Sequence, residues 1–129
     1  MIRDRERGAA AVEFALMLPL LMVIIGGVIN LGDALTTRVQ LQEAVQDGAT
    51  FAAHTPNNPT ATRTRVAEAS PGLSTGSVTV TCSGSNPAVV TVRAVRIHSW
   101  LSGMLPLPTM TMTAEVSSDV LSTTSCVSG

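Results

Sequence analysis

The chain has 129 residues, 45% of them hydrophobic but only 2% aromatic, with eight basic and nine acidic residues and a formal charge of −1. That length holds one small domain at most, with a core modest enough to need another source of stability. Every basic residue is Arg and none form a basic cluster, so the charge pattern offers no electrostatic footprint for nucleic acid.

At the N-terminus Arg3, Arg5 and Arg7 alternate with Asp4 and Glu6, and the segment from Ala9 to Ile29 follows with Glu13 as its only charge. Those residues suffice to cross a bilayer core of about 30 Å as a helix. No Lys or Arg follows until Arg38, which favours the N-terminus inside and the remainder outside. Pro19, Gly26 and Gly27 are tolerated better in a membrane helix than in a soluble one. The competing reading is a cleaved secretory signal, for which Gly32-Asp33-Ala34 would be the small-x-small site. Against it, the apolar stretch is long for a signal core, and Glu13 interrupts a region that is normally uncharged.

The string Gly8-Ala9-Ala10-Ala11-Val12-Glu13-Phe14-Ala15-Leu16 resembles the processing signal of type IV pilins and pseudopilins, and the longer run to Leu35 resembles the TadE-like family of tight-adherence (Flp-type) pilus systems. The resemblance covers about the first 50 residues. It implies that a prepilin peptidase cuts between Gly8 and Ala9, which makes Glu13 the fifth residue of the mature chain, followed by Phe14. It implies assembly with other pseudopilins and a major Flp pilin on an inner-membrane platform driven by an ATPase. An ammonium on Ala9 would be neutralised by Glu13 of the same chain or a neighbour, and in a low-dielectric setting such a pair is far stronger than in water. The bland alternative is that Glu13 merely favours the first turns of the helix through its dipole. Pilins usually carry a bulky residue after the cut, whereas TadE-like starts are Ala-rich, so Ala9 fits the minor-pseudopilin branch.

Beyond Ile29, Leu31, Leu35, Val39, Val45, Ala49 and Ala52 recur at helical spacing, opposite Arg38, Gln42, Gln46 and Asp47. One helix to about Ala53 is expected, with two helices meeting near Asn30–Asp33 as the alternative. The prolines and asparagines of His54 to Pro59 end it. Thr62 to Ala69 reads as a short helix, stopped by Ser70-Pro71-Gly72. Alternation then predicts three strands: Ser77 to Cys82, Ala88 to Ile97, and Thr109 to Val116. A small antiparallel sheet packed on the outer helix gives an α+β fold of pilin-like layout, with Val78, Val80, Met110, Met112 and Ala114 on its apolar face. Between the last two strands, Trp100, Leu101, Met104 and Leu105 form either a docking patch or a lid over the core.

Cys82 and Cys126 are the only cysteines. In an extracytoplasmic domain an even pair reads first as a disulfide, with two free thiols as the alternative. His54 and His98 have no Asp or Cys at a suggestive spacing, and no metal or phosphate-binding motif occurs, so no cofactor and no enzymatic activity are expected. The expected organisation is a cytoplasmic leader at 1–8, a membrane helix at 9–29, a stalk at 30–54, and an extracytoplasmic head at 55–129 whose tail from Ser117 is mobile apart from Cys126. Two functional readings stand. The first is a minor pseudopilin of the cytoplasmic membrane, with roles in pilus biogenesis and adhesion. The second is a signal-anchored or secreted envelope-binding module.

Overall fold

The computed structural model describes residues 2–84, 88–99, 108–121 and 125–129, with 2–7 as backbone only. One unbroken helix, α1 (Ile2–His54), runs through Pro19 and through Asn30–Asp33. The alternative of two helices is thereby set aside. At 1.5 Å per residue α1 is about 80 Å long, so more than half of it extends past any membrane core.

The second helix, α2 (Pro59–Ala69), starts earlier than the apolar pattern indicated. Pro59 suits a first helical position because it has no N–H to satisfy, and the Asn58 Oδ1 atom caps the turn by accepting from the Ala61 N–H at 3.1 Å. Gly72, in the left-handed region at φ +81, turns the chain out of the segment that follows. A single 3-10 turn at Thr75–Ser77 leads into β1 (Val78–Ser83). Then come β2 (Val89–His98) and β3 (Met110–Asp119), forming an antiparallel meander in the order β1-β2-β3.

The register sets Val80 opposite Val92 and Val92 opposite Val116, so one face of the sheet is a layer of valines. Thr79, Thr81, Thr113 and Ser117 alternate onto the other, exposed face. β2 has ten residues and spans roughly 33 Å. Its far end lies near Ala53, because the Leu121 N–H bonds the Ala53 carbonyl and the Val120 N–H bonds that of Ala88. Its other end reaches Asp33, 3.8 Å from the His98 Nε2 atom. The sheet therefore covers the outer half of α1 and no more.

On α1 the buried residues are Asn30, Ala34, Thr37, Leu41, Ala44, Val45, Gly48, Ala49, Ala52 and Ala53. Most are small, which lets the helix axis approach the sheet and α2 closely. Val45, Ala49 and Ala52 are on this face, as the periodicity indicated. Leu31, Leu35 and Val39 are not: they stand 58%, 56% and 51% exposed. The helix is rotated so that its small residues face inward and its branched ones outward. Met110 is a second correction. It shares the inner face with Met112 and Ala114 but is the first residue of β3, and it is 47% exposed.

Gly48 is the closest approach. A Cβ there would collide with a methyl of the fully buried Val66 on α2 and sit 3.8 Å from Val92. Replacing Gly by another residue normally helps a helix. Here Gly48→Val is expected to destabilise the head by about 1–3 kcal/mol, the usual cost of overpacking, as read by chemical denaturation of the full chain in detergent.

The Val80 and Gly129 backbones exchange hydrogen bonds at 3.2 and 3.0 Å, and the Val127 N–H donates to the Pro56 carbonyl at 2.9 Å. Residues 125–129 thus lie along the free edge of β1, where unpaired backbone groups would otherwise be exposed.

Candidate functional site

Gly8 and Ala9 lie on the helix and are exposed, as is Glu13, while Phe14 is 67% exposed. Ala9 and Glu13 are four residues apart on α1 and therefore lie one above the other on one face. Phe14, Met17, Leu18, Leu20, Leu21 and Ile24 line a shallow, almost wholly apolar groove beside them. Among the described residues, no side chain of the head covers this segment. Residues 14–32 carry no charge and make about 28 Å of helix, close to the thickness of a bilayer core. Among the described residues α1 is the one helix long and apolar enough to cross a membrane.

The exposed stripe continues upward through Val28, Leu31, Leu35 and Val39. It points away from the face that holds the sheet and ends where Gln42 and Gln46 take over. The outer half of α1 thus has two apolar faces, and its own head covers one.

Cys82 and Cys126 are joined in a disulfide with their Cα atoms 5.9 Å apart. The Ser128 hydroxyl accepts from the Cys82 N–H at 2.9 Å. The bridge fixes the tail against β1 at the end of the molecule away from Glu13. Trp100, Leu101, Met104 and Leu105 lie outside the described residues.

Two links were not foreseen from the sequence. Arg65 of α2 makes a two-pronged bond to Asp47 of α1, at 2.7 and 3.2 Å. The Arg65 guanidinium also stands 5.1 Å from the centroid of the Phe51 ring. Asp47 and Arg65 are separated by a helix end and a turn, so no local spacing advertises the pair. The hydrogen bond from Arg65, helped by its charge and opposed by slight desolvation, holds the Asp47 carboxyl below the usual carboxylate range. A depressed folded value stabilises the fold at pH above the unfolded carboxylate range near 4, and that contribution is lost as pH falls through the folded value. Asp47→Asn is therefore expected to lower the melting temperature slightly at neutral pH, with the difference from wild type closing on acidification. Both groups are half exposed, so added salt should shrink the effect. The other link is His98, buried at the end of β2 against Asp33. The sequence left it as a strand-end residue.

Residues 8–50 match the family model of TadE-like proteins. That stretch, a third of the chain, is a TadE-like segment. It takes in the proposed processing site, the apolar span, and the stalk as far as Thr50. No curated protein and no solved structure matches the chain. The family points to a protein associated with the tight-adherence (Tad) pilus, and the apolar helix within the TadE-like segment suggests its membrane anchor.

Proposed function

We propose that this TadE-like chain is a minor pseudopilin, a structural assembly subunit and not an enzyme. A prepilin peptidase cuts it between Gly8 and Ala9, and α1 holds it in the cytoplasmic membrane with the head outside. The observation that carries this reading is the exposed apolar stripe that rises through Val28 and Leu31 and continues beyond the membrane span at Leu35 and Val39, left bare by the described residues of the head. A protein needing only an anchor has no use for branched apolar side chains there; a subunit that packs its stalk on other stalks does. At the lower end, a freed Ala9 ammonium and the Glu13 carboxylate share one helix face, where they neutralise each other or a neighbour's partner. The partners are the peptidase, sibling pseudopilins, the major Flp pilin, and the membrane platform with its ATPase.

Complementation tests the assembly role. Cells lacking the gene are expected to lose surface pili and tight adherence, and the wild-type chain to restore both. Glu13→Ala should be processed and inserted yet restore neither. Normal piliation with Glu13→Ala would remove Glu13 from the assembly mechanism. Normal piliation without the gene would favour the envelope-binding alternative.

A further inference from the structure

Arg96 is on the inner face of the sheet, in register with Met112 and on the same side as Ala94 and His98. That face is apolar apart from His98 and Ser118 towards its ends, and a guanidinium there needs a reason. Its Nη2 atom lies 3.4 Å and its Cζ 3.8 Å from where a Cβ of Gly72 would be, so the planar group rests directly on the glycine of the turn after α2. The Nη1 atom is shut off from solvent and has no hydrogen-bond partner in the structure. A buried, unsatisfied charged donor is expensive, and native proteins rarely leave one without a partner in the working state.

The guanidinium opens onto a groove of about 470 Å³ lined by Gly72, Ser74, Gly76, Ser77 and Ile97 among others. The Ser74 and Ser77 hydroxyls hydrogen-bond each other at 2.9 Å on its wall, which leaves one O–H of the pair to donate to a ligand. A forked guanidinium with hydroxyls beside it suits a phosphate or carboxylate oxyanion.

The height of the groove selects between sources. Charge returns to α1 at Asp33, after the uncharged residues 14–32, so Asp33 marks the outer edge of the hydrocarbon core. His98 is held against Asp33, and Arg96 stands two residues further along β2, roughly 7 Å farther out. The headgroup layer on each side of a bilayer is about 5–8 Å deep. Arg38, exposed and five residues beyond Asp33, reaches the same level at about 7.5 Å. At this end of the head Ile97 is 69% and Met110 47% exposed, apolar side chains turned out at the rim nearest the bilayer.

From this placement we infer that the Arg96 groove binds the phosphate of an anionic phospholipid headgroup. The bound lipid seats the head on the membrane surface before the subunit is drawn into an assembly. The inference rests on the membrane-anchored reading of α1.

Native mass spectrometry of the full chain, released from nanodiscs of phosphatidylcholine with phosphatidylglycerol, tests it. The wild type should retain phosphatidylglycerol in preference to phosphatidylcholine, and Arg96→Gln should retain about fivefold less, the ratio one arginine near an anionic surface commands. Arg93→Gln, on the opposite face of the same strand, should match wild type. Arg96→Lys keeps the charge without the fork and should fall between wild type and Arg96→Gln, which keeps the test open if Arg96→Gln fails to fold. Equal retention by wild type and the Arg96 variants overturns the site. Displacement of the lipid by inorganic phosphate overturns the lipid assignment in favour of a free-anion site. A membrane-bound chain with no lipid preference overturns the site alone, whereas a chain recovered outside the membrane overturns the anchor reading with it.

Discussion

Replacing both cysteines, Cys82→Ser with Cys126→Ser, is expected to lower the stability of the head by about 4 kcal/mol in the chain-entropy account. The bridged residues are 44 apart in sequence, so the bond closes a long loop in the unfolded chain. It also fixes the segment that pairs with the free edge of β1, where Val80 and Gly129 exchange backbone bonds and Ser128 accepts from Cys82. Without it, the Val80 amide should exchange with solvent faster than the Val90 amide in the central strand. Denaturant titration of the full chain in detergent, with and without reductant, reads the first effect, and hydrogen exchange reads the second. A loss below about 1 kcal/mol would mean that the edge pairing holds the tail by itself.

Leu41→Ala should cost about 2–5 kcal/mol, the range for emptying a buried leucine site. Leu41 is 1% exposed and is one of the largest fully buried side chains. Its neighbours on the helix face are Thr37, Ala44 and Val45, too small to collapse into the space it would leave. Leu35→Ala, somewhat more than one and a half turns away, removes the same atoms from an exposed position and should leave the stability of the unassembled full chain nearly unchanged. The contrast separates the two faces of α1: the first variant unfolds the head, whereas the second should weaken contact between subunits. Comparable denaturation midpoints for the two variants would contradict the assignment of faces.

That contrast is also where the sequence stopped short. The apolar span, the α+β order and the three alternating strands were legible because each rests on local periodicity. Periodicity finds an apolar stripe on a helix without saying whether the chain's own sheet or another molecule covers it. Leu31, Leu35 and Val39 looked like core for that reason, while the true docking face, rich in Ala, Gly and Thr, looked weakly apolar. Met110 fitted its strand's alternation but stands exposed at the sheet's corner, as the first residue of β3. The Asp47–Arg65 and Asp33–His98 links join residues far apart in sequence, and Arg96 was hidden inside a valine-rich strand that seemed purely structural. The backbone pairing of the tail with β1 was not legible either, because a Ser- and Thr-rich composition does not reveal it. Cys82 and Cys126 were the exception among distant contacts, since two cysteines leave one intramolecular pairing.

Prepilin-type processing of a membrane-anchored subunit is tested most directly by the intact mass of the protein purified from its native membrane. The expected chain begins at Ala9. A chain that begins at Leu35, after Gly32-Asp33-Ala34, would contradict it and leave a secreted binding module. An uncut start at Met1 would leave a signal-anchored protein.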